Sequence, residues 1–364
     1  MSSRLFKLVI NVNKILGIAP PPRKQDMITK LYSSLIVALL TVGVITSSRD
    51  RGYLKSYTHI KFVISVLMDV IAYVFNCYVT LSMTFWREKQ WKELIKAIKP
   101  STIPNTKIPY YLGFLMLNIF FWIIVSCSNY AFNQIVVFKT AQDIAVLDTE
   151  LYTQFLFGYL IYVTSDMLLS RYRYLTYLLS DYVQNVVPTK SRSGEEFTYF
   201  MRKIEHIAYV LKEATDNFNA IFGIPLLLTI SYSTLHFVNY VDDIFFFRFD
   251  PVKFSQFVVS NICLVFMIFI GNCVLIFKCN SVLKEACNVV NFAYKLRKSF
   301  PCTTSKQRLE VNEFIDFIIN NFPKFSAAGF FDIKKSTIGS MLNTVTTLII
   351  VMMQLDLNVT QSCN

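Results

Sequence analysis

The last apolar run of the chain contains a polar amide that lipid cannot satisfy. Thr347 and Gln354 bracket this run, and only apolar residues lie between them. Four residues here fall at i, i+3, i+4 and i+7 of a helix and share one face: Thr347, Ile350, Val351 and Gln354. Such a face suits close packing between membrane helices or the lining of a channel. For Gln354 itself, an interfacial amide that reaches water is a further interpretation.

Four earlier apolar segments also carry polar residues at helical spacing. The stripes are Ser65, Asp69, Tyr73 and Asn76; Asn118, Trp122, Ser126 and Asn129; Tyr152, Tyr159 and Tyr162; and Thr229, Ser233, His236 and Tyr240. Aromatic walls with a few convergent polar groups are typical of small-molecule pockets. Intramembrane Ser, Asn and Tyr side chains also simply bond helix to helix, so both interpretations stand. Asp69 is the best single candidate, because a carboxyl deep in a span is costly unless it is paired or functional. Asp166 lies deeper, and we expect it to pair with Arg171 or Arg173 near the inner surface in a structural role.

Other kinds of chemistry lack support. The chain contains no Gly-x-Gly, His-Glu-x-x-His, Gly-x-Ser-x-Gly or phosphate-loop pattern, so we predict no enzyme. Its eight cysteines include no Cys-x-x-Cys pair, and His236 has no second His or carboxylate at ligand spacing. We therefore predict neither a metal site nor a cofactor, and we expect His236 to be a satisfied hydrogen-bonding residue.

The composition requires a lipid bilayer as the partner of this chain. Hydrophobic residues make up 54% of the 364 residues and charged residues only 16%, which is too little charge for a soluble surface. The net charge of +12 comes from basic residues spread through short connections. Membrane topology explains such a distribution better than nucleic-acid binding, which we do not expect.

Seven stretches reach the length of about 20 residues that a membrane span needs. They cover roughly 31–48, 59–85, 108–132, 151–170, 218–240, 254–278 and 336–355. Alternate connections hold 29 of the 36 Lys and Arg residues, and these connections include the N-terminal segment. Because cationic loops stay in the cytoplasm, the N-terminus is predicted inside and the C-terminus outside, in a multi-pass protein of the plasma membrane.

This orientation bears on the alternatives. A G-protein-coupled receptor also has seven spans but places its N-terminus outside, which would put most of the positive charge on the wrong face. A small-molecule transporter would show internal repeats and paired broken helices, whereas seven spans do not divide into equal halves. Both remain rivals from other functional classes.

The inner connections are rich in helical patterns. Residues 309–322 are amphipathic, with Phe314, Ile315, Ile318 and Phe322 on one face. Near the N-terminus, Leu5, Leu8, Val12 and Ile15 form an apolar face that we expect to lie on the membrane. We predict an all-α polytopic membrane protein with an amphipathic segment (1–30), six spans (31–278), cytoplasmic anchor helices (279–335) and a last span with an outer tail (336–364).

The C-terminal stretch FSAAGFFDIKKSTIGSMLNTVTTLIIVMMQL, residues 325–355, resembles the signature of insect gustatory receptors. In that family the last span ends in Thr-Tyr, five apolar residues and Gln-Phe. Here Thr347 and Gln354 match at the right spacing, while Leu348 replaces the Tyr and Leu355 replaces the Phe. The N-terminal KLVINVNKILGIAP is also similar to the start of the family.

The resemblance implies a ligand-gated, non-selective cation channel of four subunits, either identical or mixed with other gustatory receptors. Its last span would line the pore and its cytoplasmic helices would hold the subunits together. Rings of Ile350 and Val351 would close the pore by excluding water. We expect Gln354 and Leu355 to frame the gate at the outer mouth.

The ligand would be a small tastant bound in the outer half of the helix bundle. The excess of Tyr, Trp and Phe favours a bitter plant compound over a sugar, which would need more hydroxyl-bonding groups. Insect odorant receptors are similar in plan and remain an alternative.

Overall fold

The protein is a bundle of helices, several of them far longer than a membrane is thick. The computed structural model describes residues 3–18, 26–49, 59–98, 110–133, 141–186, 194–246, 251–299 and 305–362. The helices in these parts are α1 (Ser3–Ile15), α2 (Asp26–Arg49), α3 (His59–Leu81), α4 (Glu88–Ile98), α5 (Tyr110–Asn133), α6 (Ala141–Asp181), α7 (Gly194–Phe246), α8 (Pro251–Ser299), α9 (Ser305–Asn320) and α10 (Ser336–Ser362). Short π-helical segments follow α3 (Ser82–Trp86) and α6 (Tyr182–Val186). The all-α prediction is confirmed.

Helix length shows why the bundle must continue beyond the bilayer. Helix α7 has 53 residues and α8 has 49. At about 1.5 Å per residue each is more than twice as long as the hydrocarbon layer of about 30 Å. Each therefore crosses the membrane and projects from it, on the side that the charge pattern assigns to the cytoplasm.

The projecting parts pack together with α9. Helix α9 buries Val311, Phe314, Ile315 and Ile318, which include three of the four residues predicted for its apolar face. The fourth, Phe322, lies just beyond the helix and is half-buried. Three further helices contribute buried residues to the same core: Leu175 and Leu179 of α6, Ile204 and Leu211 of α7, and Val289, Ala293 and Leu296 of α8. These four helices form the bundle that the sequence pattern predicts.

Helix α6 is the central helix of the membrane part. Six helices in the described parts are long and apolar enough to span a bilayer, and α6, which contains the predicted span 151–170, is not among them. Gln154, Asp166 and several tyrosines lower its hydropathy. The position of α6 in the fold explains why it tolerates this lower hydropathy, because the side chains of Leu156, Phe157 and Leu160 are at most 1% exposed. A helix surrounded by other helices faces little lipid and does not need a fully apolar surface.

The amphipathic helix α1 packs against other helices of the bundle. Leu5 is 2% exposed and Val9 0%, whereas Leu8 and Val12 of the predicted apolar face are half-buried and Ile15 is 68% exposed. The ring of Phe6 stacks on Trp91 of α4 at a centroid distance of 6.4 Å. Leu5 of the predicted face therefore packs on protein, whereas the contact of the exposed Ile15 with the membrane stays a prediction.

A two-stranded hairpin connects the cytoplasmic bundle to the last helix. Strands β1 (Ser326–Ala327) and β2 (Phe331–Asp332) are antiparallel, with Ser326 opposite Asp332. Helix α10 begins four residues after β2 and runs back through the membrane region.

Candidate functional site

Helix α10 has two faces of opposite character. One face packs on the protein: Val345 and Met352 are buried in a cluster with Ile64 of α3 and Val238 of α7. At about 100° per residue, six exposed residues lie within about 40° of a line on the opposite face. They are Ser336, Ser340, Asn343, Thr347, Ile350 and Gln354.

The predicted gate residues lie on or beside this polar face. Ile350 is 49% exposed and Val351 is 42% exposed, and both Thr347 and Gln354 are exposed. The Thr347 hydroxyl donates to the Asn343 carbonyl at 2.9 Å, so it does not depend on an outside partner. The Leu355 side chain lies outside the described residues. The exposed amides of Asn343 and Gln354 on this face are costly against lipid, which favours contact with water or with another chain.

Helices α5, α6 and α8 enclose an aromatic cluster in the outer half of the bundle. The Tyr152 hydroxyl donates to the Asn118 side-chain carbonyl at 3.0 Å. Trp122 lies 5.1 Å from the Tyr152 ring, and Phe121 lies 4.8 Å from Phe155. Two of the residues predicted for a pocket, Asn118 and Trp122, are thus brought together by Tyr152.

A second group of polar side chains lies between α3, α6 and α7. Glu150 of α6 and Tyr232 of α7 are buried, and the carboxylates of Asp69 and Glu150 contribute to the electrostatic field at Tyr232. The Tyr232 ring also meets His236 edge-on at 5.7 Å. The Oγ atom of Ser233 and the Nδ1 atom of His236 are buried, and neither has a hydrogen-bond partner among the described residues. Unsatisfied buried polar atoms require an explanation, and a ligand or water that bonds them is the simplest one.

This finding bears on one sequence expectation. We expected His236 to be a satisfied hydrogen-bonding residue, and its Nδ1 atom does not meet that expectation, since it has no partner among the residues described.

The remaining α3 residues contribute to structure as well as to the predicted stripe. Tyr73 and Thr41 of α2 share a hydroxyl–hydroxyl bond of 2.9 Å. Asn76 is 3% exposed and donates to the Ala72 carbonyl at 2.8 Å. It also lines a cavity of about 30 Å³ between α2, α3 and α6, and Ser65 is half-buried.

Three predicted residues lie away from these two groups. Ser126 is exposed on α5. The Asn129 amide donates to both carboxylate oxygens of Asp148 at 2.9 Å, which is a bond between α5 and α6. Tyr162 lies beneath the Lys278 ammonium at 4.9 Å, near the cytoplasmic end. Tyr159 lies between Phe114 and Tyr162. Its ring centroid is 4.8 Å from that of Phe114 and 6.0 Å from that of Tyr162.

The partner of Asp166 also differs from the sequence expectation. We expected Arg171 or Arg173 to pair with it near the inner surface, but Lys278 of α8 approaches its carboxylate at 2.5 Å. The two arginines lie more than one helical turn further along α6. Lys278 lies on α8, which packs directly beside α6.

Sequence reasoning missed several buried polar residues. Glu150 is 4% exposed and Gln154 is 7% exposed, and both face the interior of the bundle. Glu150 has the appearance of a rim residue in the sequence, because it follows an acidic loop. Gln154 interrupts an apolar run, as Gln354 does. This interruption is the feature of the sequence that could have identified Gln154 as a buried polar residue.

The comparisons agree with this architecture. Residues 6–359 match the family described as 7tm Chemosensory receptor. The fold is similar to that of the insect olfactory receptor OR5 from Machilis hrabei, with a TM-score of 0.69 and 12% identity, over 97% of this chain and 98% of that one. The same receptor in complex with eugenol matches equally well. No curated protein sequence matches the chain. On the strength of the family match along nearly its whole length, this chain belongs to the 7tm chemosensory receptor family.

Proposed function

We propose that this chain is a subunit of a ligand-gated, non-selective cation channel of the gustatory type in the plasma membrane. The observation that carries the proposal is the exposed polar face of α10. Four copies of this helix around an axis would remove Ser340, Thr347 and Gln354 from lipid and place them along a water-filled path. The number four comes from the resemblance to gustatory receptors.

The gate in this proposal combines apolar and neutral polar rings. Ile350 and Val351 are the apolar exposed residues between Thr347 and Gln354. Rings of such residues stop ions by excluding water when the helices are close. Four Gln354 amides can turn their carbonyl oxygens toward a cation without adding a negative charge that would trap it. Leu355 follows at the outer side.

The ligand in this proposal is a small tastant between α3, α5, α6 and α7. The aromatic cluster around Tyr152 and the polar group around Tyr232 supply walls and hydrogen-bonding groups. The olfactory receptor of similar fold has been solved with eugenol, which supports a small organic ligand here. The aromatic content favours a bitter compound over a sugar.

Helix α7 offers a route from ligand to gate. It carries Tyr232, Ser233 and His236 on one side, and its Val238 packs against Val345 and Met352 of α10. A ligand that moves α7 therefore moves the surface on which the pore helix rests.

Whole-cell recording from cells that express this chain alone tests the proposal. A panel of tastants should evoke cation current that persists when G-protein signalling is blocked with a non-hydrolysable GDP analogue. Single-channel recording of Gln354→Ala should show altered unitary conductance or open probability. Current that disappears with the G-protein block would contradict the channel proposal, and an unaltered Gln354→Ala channel would remove that residue from the gate.

An odorant-receptor-type subunit is the second candidate. The departures at Leu348 and Leu355 from the gustatory signature favour it, because those positions carry the aromatic residues of the motif. Responses to volatile odorants, together with none to non-volatile tastants, would support this second candidate.

A further inference from the structure

We propose that two residues of α7, Asn219 and Gly223, are positioning residues that fix where the pore helix α10 begins. We name this pair the hairpin seat, because the β1–β2 hairpin rests on it. The inference rests on the proposed function only where it concerns gating; the positioning itself does not require a ligand or a current.

The hairpin is held together by its own hydrogen bonds. The Ile333 N–H donates to the Phe325 carbonyl at 2.8 Å, and the Phe330 N–H donates to the Ala327 carbonyl at 3.0 Å. The turn between the strands requires positive φ at Ala328 (54°) and at Gly329 (83°). Gly329 adopts this conformation without steric cost, and its N–H donates to the Ser326 hydroxyl at 2.8 Å.

The hairpin is also tied to the first turn of α10. The Thr337 hydroxyl accepts the Lys334 N–H at 3.1 Å and donates to the Asp332 carbonyl at 3.2 Å. Ile333 between them is fully buried. Because only three residues separate β2 from α10, a displacement of the hairpin displaces the start of the helix.

Asn219 holds the hairpin through both ends of its side-chain amide. Its Nδ2 donates to the Lys324 carbonyl at 2.5 Å, and its Oδ1 accepts the Ser326 N–H at 3.1 Å. The two bonds flank Phe325, which is 1% exposed and meets the Phe218 ring edge-on at 5.1 Å. Among residues of this size only an amide supplies a donor and an acceptor in this arrangement.

Gly223 allows the close approach. It lies four residues after Asn219, and therefore on the same face of α7. A Cβ atom at Gly223 would lie 3.0 Å from the Ala328 nitrogen and 3.2 Å from the Ser326 carbonyl oxygen. Both are backbone atoms, so a side chain here moves the hairpin as a whole.

The consequence is that α7 holds α10 at two levels. The hairpin seat fixes the cytoplasmic start, and the cluster around Val238 supports Val345 and Met352 further along. The height and rotation of the pore helix relative to α7 are set by these two contacts. A change at the seat alone should alter the closed–open equilibrium while the residues that line the pore stay the same.

Asn219→Leu and Gly223→Ala test the inference by different means. The first removes both hydrogen bonds at similar side-chain size, and the second keeps them but pushes the hairpin away. Gly271→Ala in α8 is the matched control, since a Cβ atom there meets nothing within 4 Å. In each variant, single-channel recording gives the open probability and the unitary conductance, and surface labelling gives the number of receptors.

We expect the closed-to-open ratio at saturating agonist to change about three- to tenfold in Asn219→Leu, which is the equivalent of one net hydrogen bond. Gly223→Ala should change the same ratio because it displaces the hairpin. Unitary conductance should be that of the wild type, and the Gly271→Ala control should not differ from it. If the two residues had a purely structural role, the variants would lower the number of receptors at the cell surface and leave the open probability of the remaining channels unchanged. That result would overturn the inference.

Hydrogen exchange on the purified receptor separates this inference from the proposed function. In both seat variants, amides of residues 324–340 should exchange faster, while those of α8 keep wild-type rates. If the wild type passes no agonist-evoked current, the channel proposal fails, and the exchange result still decides the role of the seat. Wild-type exchange of residues 324–340 in Gly223→Ala would overturn it.

Discussion

The buried ion pair between Lys61 of α3 and Asp242 of α7 should be among the most sensitive contacts in the protein. The ammonium and carboxylate lie 3.2 Å apart, with side-chain exposures of only 5% and 2%. Lys61→Met keeps most of the aliphatic stem and removes the ammonium that faces the buried Asp242 carboxylate. Removal of one partner from a buried pair costs about 3–5 kcal/mol, because the remaining charge stays desolvated and loses this counter-charge.

That energy corresponds to a shift of more than a hundredfold in the folding equilibrium, at about 1.4 kcal/mol per factor of ten. The double variant Lys61→Met/Asp242→Leu should recover most of the loss, since well-packed apolar residues often replace a buried pair at little cost. Free energies of unfolding come from SDS titration of the purified receptor in mixed micelles.

The exposed pair between Lys89 and Glu93 of α4 is the control. Its atoms are 3.9 Å apart and its side chains are 86% and 41% exposed. Lys89→Met should change the free energy of unfolding by less than about 1 kcal/mol. If Lys61→Met is as mild as this control, or if the double variant is as unstable as the single one, the reasoning about the buried pair is refuted.

Three further predictions follow from the fold and the site. The variant Asp69→Asn should reach the cell surface in normal amounts and lose the agonist response, because the Asp69 carboxylate belongs to the polar group around Tyr232. Surface labelling together with current recording checks this, and a surviving response would remove Asp69 from the site. An epitope tag after Asn364 should be labelled by antibody on intact cells, because the charge pattern places the C-terminus outside, and labelling only after permeabilisation would contradict that topology. The hydrogen bond from Lys334 to Asp332 lowers the pKa of this carboxyl below its ordinary value. The ion pair therefore stabilises the fold fully at any pH above the ordinary pKa, and this contribution is lost only as the pH falls through the lowered pKa. Asp332→Asn should thus lower the melting temperature equally at pH 8 and pH 5, and a smaller difference at pH 5 would count against the ion pair.

The helical periods and the charge distribution were sufficient to predict the architecture. The segments 31–48, 59–85 and 336–355 lie within single helical stretches of the structure, and so does 108–132 from Tyr110, where the described part of that segment begins. Hydropathy identified these segments because they face lipid. The same measure is weak for α6, whose Phe157 and Leu160 are buried by protein on all sides.

Partners across helices were the part that the sequence could not provide. Spacing along one helix predicted Arg171 or Arg173 for Asp166, whereas the partner is Lys278, 112 residues away. Lys61 and Asp242 lie still further apart in sequence and belong to different spans. Periodicity shows which residues share a face of one helix, and only the packing of the bundle shows what that face meets.

Cysteine scanning of α10 is the most direct test of the central claim that its exposed polar face lines an ion pathway. Single cysteines at Thr347, Ile350 and Gln354 should react with a charged thiol reagent during agonist application and block the current. Cysteines at Val345 and Met352, on the buried face, should leave the current unaffected. Equal block on both faces, or block on the buried face alone, would contradict the account.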